Sequence, residues 1–254
     1  MTLFTHELRL QQLIFWRNRE AAFFTFFLPV IFFLIFGAVY GDAHIKDGDT
    51  TVKGSWFLEA GMIGYGVAAT CFAGLGISMV VRRESGVLKR IRSTPQPAPT
   101  YLSGVLVSTF VVFLIEAVLI IAIGRLLFSV PLPRQFFSLL AVLALGAVAF
   151  AAMGLGITGF VRSAEGSSAV INAVYLPMAI ISGTFFNPNN YPGFLKAIAN
   201  VLPLTHYTKL TRDVMIHHQH LWSDPGAVGV VALWGVVGLV AALRRFRWQP
   251  VEAT

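Results

Sequence analysis

The chain has 254 residues, 56% of them hydrophobic and only 12% charged, with a formal net charge of +7 and a mean hydropathy of +0.72. A soluble domain of this size has too little interior to hide so much apolar chain, and outer-membrane barrel strands would alternate apolar with polar residues. The composition therefore predicts a helical membrane protein, and membrane topology explains the positive charge better than a nucleic acid partner does.

Residues 2–20 are expected to form an amphipathic helix lying along the inner membrane surface. Leu3, Leu10, Leu13 and Ile14 can share one side, while Glu7, Arg9, Arg17 and Arg19 reach headgroups or solvent. Such a helix either borders the membrane or also touches a partner protein. Apolar runs near 22–40, 57–81, 102–127, 136–161, 169–186 and 227–243 follow. Each is long enough to cross the roughly 30 Å hydrocarbon layer, some of them tilted. The first run follows a polar stretch and reads as a retained signal anchor, which Pro29 can kink. The expected fold class is an all-α integral membrane protein of one domain, 1–254, with six transmembrane helices.

Charge placement sets the expected orientation. With both ends inside, the cytoplasmic parts are 1–21, 82–101, 162–168 and 244–254, and they hold twelve of the nineteen Lys and Arg residues. That is the positive-inside bias. Cys71 is the only cysteine and lies within the second run, so no intrachain disulfide can form. Glycines crowd the second and fourth runs (Gly61, Gly64, Gly66, Gly74, Gly76; Gly146, Gly154, Gly156, Gly159). They permit close helix packing within the chain, or a moving interface or dimer seam.

The stretch 82–101, RRESGVLKRIRSTPQPAPTY, joins the second and third runs. Gly86 and the prolines Pro95, Pro97 and Pro99 punctuate it, while Glu84–Arg92 can make two or three helical turns. Val87, Leu88 and Ile91 offer a small apolar surface flanked by Arg82, Arg83, Lys89, Arg90 and Arg92. A polybasic lipid anchor accounts for the charge. A short helix held against another protein accounts for the charge, the apolar surface and the rigid proline exit together.

The region 187–225 is too apolar for a plain outer loop and predicts two short helices, one opened by Pro192 and another over 204–217, with Pro203 between them. They would dip into the outer leaflet or cap the bundle as re-entrant helices. Two carboxylates fall within the runs. Glu116, in the middle of the third, must be protonated, paired or exposed to water, and it can serve a structural hydrogen bond, a path for a cationic substrate or proton coupling. Glu59 lies close enough to an end of the second to reach headgroups. His206, His217, His218 and His220 match no strong metal-ligand spacing, and outer-surface polar packing is the preferred reading. No GxxxxGK[ST], HExxH or GxSxG pattern is present, so no catalytic residue, cofactor or metal site is assigned to the chain.

The segments RRESGVLKRIRSTPQPAPTYLSG (Arg82–Gly104) and SGTFFNPNNYPGFLKAIANVLPLTHYTKLTRDV (Ser182–Val214) make the chain resemble an ABC-2 type transporter permease over nearly its whole length. Within that resemblance, Glu84, Gly86, Leu88, Arg90 and Pro95 match the cytoplasmic coupling region. Gly183, Phe185, Pro188, Pro192, Pro203, Leu204, Tyr207 and Arg212 match the end of the fifth span and the outer re-entrant helices. The likeness is to the small-permease branch that includes daunorubicin-type and nodulation-factor exporters. It implies two nucleotide-binding ATPase subunits carrying ATP and Mg, a second permease copy or related permease, membrane lipids around the complex, and a bacterial inner-membrane location. It also implies export of an amphipathic drug, lipid or lipid-linked glycan. A proton-coupled transporter or channel using Glu116, and a membrane enzyme or assembly factor, are the competing readings. A Walker-type ATPase in the neighbouring reading frame would separate them.

Overall fold

The computed structural model describes residues 3–47 and 50–249. Thr2, the proposed start of the first helix, and the tail beyond 249 lie outside the described residues. Helix α1 (Leu3–Arg17) is followed by α2 (Arg19–Tyr40), whose first turn is capped by the Asn18 side chain accepting from the Ala21 N–H at 3.2 Å. A short antiparallel pair, β1 (His44–Asp47) and β2 (Thr50–Lys53), leads into α3, Gly54–Glu84. A single turn separates α3 from α4 (Val87–Arg92). The remaining helices are α5 (Ala98–Phe128), α6 (Phe136–Thr158), α7 (Ala164–Ile181), α8 (Gly193–Val201), α9 (Pro203–Met215) and α10 (Pro225–Arg245). Six helices, α2, α3, α5, α6, α7 and α10, are long and apolar enough to cross a membrane. The protein is an all-α integral membrane protein with one small strand pair that its sequence pattern did not announce.

Helix α3 is the axis of the bundle. Its most apolar stretch is 78% buried within the chain, whereas the corresponding stretch of α2 is 22% buried. Glycines make that central position possible by letting neighbours approach: a Cβ on Gly61 would meet Thr184 O at 2.1 Å, and one on Gly64 would meet the Thr208 methyl at 2.3 Å. Gly76 and Gly154 bring α3 and α6 together, and Gly235 and Gly238 seat α10 along α6. Most of these glycines serve packing within this chain. Gly74 is the exception, since it is exposed.

The middle of α3, Val67–Gly74, is a π-helix. This wider turn is rare and recurs at functional sites.

The fifth span departs furthest from its expected bounds. The fifth span begins at Ala164, where the Ser163 hydroxyl accepts from the Gly166 N–H at 3.2 Å, and it ends at Ile181 instead of 186. The early end has a local cause. Gly183 takes φ +80°, a left-handed value open to glycine, and its carbonyl accepts from Arg212 Nη1 at 3.1 Å. Phe185 therefore lies in a turn beyond the helix.

Candidate functional site

Helix α1 keeps its expected apolar side but buries Glu7, which was expected to reach headgroups or solvent. Leu3, Leu10, Leu13 and Ile14 are exposed, while Glu7 and Gln11 are buried. The physical reason is a polar seam. Gln11 Nε2 donates to Glu7 Oε1 at 2.6 Å, Gln96 Nε2 donates to Glu7 Oε2 at 2.8 Å, and Gln12 Nε2 donates to Ser108 O and Oγ, both at 3.0 Å. Glu7 thus reaches neither headgroups nor solvent. It packs over Gly104 of α5, where a Cβ would lie 2.5 Å from Glu7 Cγ. This arrangement leaves the apolar side of α1 free for lipid.

The segment after α3 is stitched to the same seam. Arg82 Nη1 donates to Gln11 Oε1 at 2.7 Å and to the Tyr101 hydroxyl at 3.0 Å. Arg83 does not face a partner or lipid. It is 2% exposed, donating from Nη1 to Thr158 O at 2.9 Å and from Nη2 to Val161 O at 2.7 Å. A buried cation there satisfies free carbonyls at the C-terminal end of α6 and meets the negative end of its dipole. Glu84 accepts from Arg83 Nε at 3.1 Å, and Gly86 makes the elbow at φ +74°.

Leu88 corrects a second expectation. It is 0% exposed and belongs to the chain's own core, so it cannot seat a partner. Its burial anchors α4 to the bundle. Ile91 is half-buried against that core, while Lys89, Arg90, Arg92 and Pro95 are exposed. The surface that α4 offers is basic, with Val87 as its exposed apolar residue.

Behind the π-helix, Glu116 is 2% exposed and accepts from Thr70 Oγ1 at 2.8 Å through Oε2. Its other oxygen has no partner among the described residues and faces Gly66, where a Cβ would lie 2.5 Å away. Glu59, expected near headgroups, is 1% exposed instead, its carboxyl held against Gly124 of α5. Both carboxyls point from helix to helix inside the bundle.

A cavity of about 480 Å³ lies between α1, α2, α3, α5 and α7. Thr70, Ser108 and Thr109 put hydroxyls on its wall, Asn172 an amide, and Tyr65 and Tyr175 line it as well. The buried Tyr175 hydroxyl has no partner among the described residues. Beyond the tyrosines, Phe185 joins them to α2, with ring centroids 6.0 Å from Tyr65, 5.8 Å from Phe32 and 5.2 Å from Phe36. Neither Glu59 nor Glu116 lines the cavity; Glu116 stands one layer behind, through Thr70. The polar wall was missed because no sequence motif marks it. The glycine-rich run before the π-turn was the only available signal.

At the strand-pair end, α9 enters the bundle. Pro203 occupies its first turn, and Tyr207 packs on Gly146 and Phe150, its ring 5.9 Å from the latter. Arg212 is buried, its guanidinium 4.5 Å above the Phe57 ring and its Nε 3.7 Å from Asp47 Oδ2. Burial draws the Arg212 pKa down, and Asp47 opposes that shift. His217 Nε2 lies 3.2 Å from the same Asp47 oxygen, while His220 Nδ1 lies 3.2 Å from the Ser138 hydroxyl. Four of the eight residues that carry the resemblance in this region, Pro203, Leu204, Tyr207 and Arg212, therefore share one helix and are buried on it. Phe194, Ile198 and Val201 of α8 are exposed.

The chain is a six-span membrane bundle with a basic elbow after the second span and two short helices before the sixth. A family model for the ABC-2 type transporter matches residues 2–216, and the chain belongs to that family. It is 25% identical over 192 residues to YvfS of Bacillus subtilis (strain 168), described as a transport permease, covering 75% of this chain and 76% of that protein. It is 24% identical over 223 residues to the daunorubicin resistance ABC transporter permease protein DrrB1 of Streptomyces coeruleorubidus, covering 85% and 75%. ABC transporter G family member 20 of Dictyostelium discoideum is 25% identical over 191 residues, covering 72% of this chain and a quarter of that protein. The chain is the membrane permease of an ABC exporter.

Proposed function

We propose that the chain works with two separate ATPase subunits and a second permease copy, and carries an amphipathic drug, lipid or lipid-linked glycan out across a bacterial inner membrane with both termini cytoplasmic. The ATPases would supply ATP and Mg, leaving this chain without catalytic residues of its own. The observation that carries this reading is the cavity. It runs along α3 from Arg82, next to the elbow, past the π-helix to Tyr65, with Tyr175 of α7 beside Tyr65. Its walls are mostly apolar with dispersed hydroxyl and amide groups, which suits an amphiphile.

Coupling is assigned to the elbow: Glu84 and Gly86 set its angle, Leu88 and Ile91 anchor it, and Lys89, Arg90 and Arg92 meet the ATPase, with Pro95 stiffening the exit. For ATP to shift the membrane equilibrium, the ATPase must contact α4 differently in its two states. The path α4–Arg82–Gln11–Glu7 links that contact to the cavity wall through hydrogen bonds. The proton-coupled reading has less support, because Glu116 does not line the cavity.

The test is co-purification with the ATPase of the neighbouring reading frame, followed by substrate-stimulated ATP hydrolysis in lipid. Reversing charge at Lys89, Arg90 and Arg92 together should abolish both without lowering the melting temperature. Leu88→Asp should lower the melting temperature itself, because it charges an enclosed core position. Retained assembly and normal coupled transport in the triple variant would overturn the docking assignment.

A further inference from the structure

Among the described residues the cavity wall carries one charged side chain, and its sign is positive. Arg82 lies at the end next to α1, and none of the described lining residues is acidic. Arg82 is held by two neutral groups, Gln11 and the Tyr101 hydroxyl, through the same nitrogen. Among the described residues it forms no ion pair, and its Nε and Nη2 donate to no acceptor. The nearby carboxylate in this seam, Glu7, is already bonded by Gln11 and Gln96. Glu84 is bonded to Arg83, and Glu116 is screened from the cavity by Thr70.

We propose that this cavity takes an anionic amphiphile, with Arg82 as the residue that sets the preference for negative over positive charge. The inference rests on the cavity being the substrate path, as argued above. From Arg82 to Tyr65 the wall runs along seventeen residues of α3, about 25 Å at helical rise. An anionic head beside Arg82 would meet an unpaired guanidinium with free donors, a charge-assisted contact strengthened by the surrounding low dielectric. The ligand's body would lie against Phe15, Phe24, Leu28 and Leu75, and a hydrogen-bonding group at its far end would reach the unpartnered Tyr175 hydroxyl. A cation would meet no carboxylate and one like charge. This stands against the cationic-substrate path, one of the three roles that the sequence left open for Glu116.

The experiment uses the permease–ATPase complex in phosphatidylcholine nanodiscs, titrated with three fluorescent amphiphiles of equal chain length: dansyl-undecanoate, its neutral amide and the matching trimethylammonium. The anion should bind at least tenfold more tightly than the cation. Arg82→Gln should erase that ratio, and Arg82→Lys should keep it. Gln11→Glu, which places a carboxylate against Arg82, should erase it even if Arg82→Gln destabilises the fold. Equal or tighter binding of the cation, or a ratio that survives Gln11→Glu, would overturn the charge assignment. Asn172→Trp, which fills the cavity, should weaken all three probes. Unchanged binding of every probe to that variant would overturn instead the reading of this cavity as the path.

Discussion

Asp224 shows how much one side chain contributes at the start of the last span. Its Oδ1 accepts from the Ala227 N–H at 3.0 Å, capping α10, and its Oδ2 takes the Lys209 ammonium of α9. The Lys209 hydrogen bond, then the backbone one, holds the Asp224 pKa below its ordinary value of 3.8. A carboxylate with a depressed folded-state pKa contributes stability above its unfolded pKa and loses it as pH falls through the folded value. The contribution should therefore be complete at neutral pH and vanish only below about pH 4. Asp224→Ala should cost about 1 kcal/mol, most of it the cap, since the Lys209 ammonium is largely exposed and its ion pair is screened. Asp224→Asn should retain most of the cap. Thermal melting of the three proteins at pH 7 and pH 3.5 checks both statements, with the wild-type advantage over Asp224→Ala shrinking at the lower pH.

Among the elements, the α6–α10 pair depends most on residues without side chains. A Cβ on Gly238 would lie 2.5 Å from Met153 N, and one on Gly235 would lie 3.0 Å from Ala149 Cα. Backbone atoms cannot swing aside as a side chain's end can, so Gly238→Val should force the helices apart, at a cost of about 1–3 kcal/mol. Gly229, on the same helix, has nothing within 4 Å of its Cβ position. Gly229→Ala should leave stability unchanged or raise it slightly, as alanine favours the helix. Melting of the two variants in the same detergent compares them directly. The same test separates packing glycines from the exposed Gly74 of the π-helix, which fronts the cavity.

For the whole molecule, orientation is the property to test. The elbow and the strand pair lie at opposite ends of α3, so 90 and 190 belong on opposite faces of the membrane. In a Cys71→Ala background, single cysteines at 90 and 190 should react with an impermeant maleimide from opposite sides, position 190 from outside. Labelling of both from one side would overturn the topology. Arg83 adds a physical constraint, because it ties the α3 and α6 ends together and so fixes which ends share a face.

The sequence by itself determined the six spans, the short helices before the last and the basic elbow, because apolar run length, proline position and local charge act within a few residues. It also marked the glycines that allow close approach. Only the tertiary structure decided which way each side chain points. Glu7, Arg83 and Leu88 carry surface-like or partner-like signatures in sequence, yet all three are buried, since they meet Gln96 and Gly104, the end of α6, and the bundle core. Glu59 and Glu116 were identifiable as costly residues, but their enclosure against Gly124 and Gly66 depends on helices that meet only in the fold. The cavity is a product of five helices distant in the chain, and so is the solitary positive charge on its wall. Local periodicity determines the elements, whereas burial and pairing depend on which elements meet, and that is settled by packing across the whole bundle.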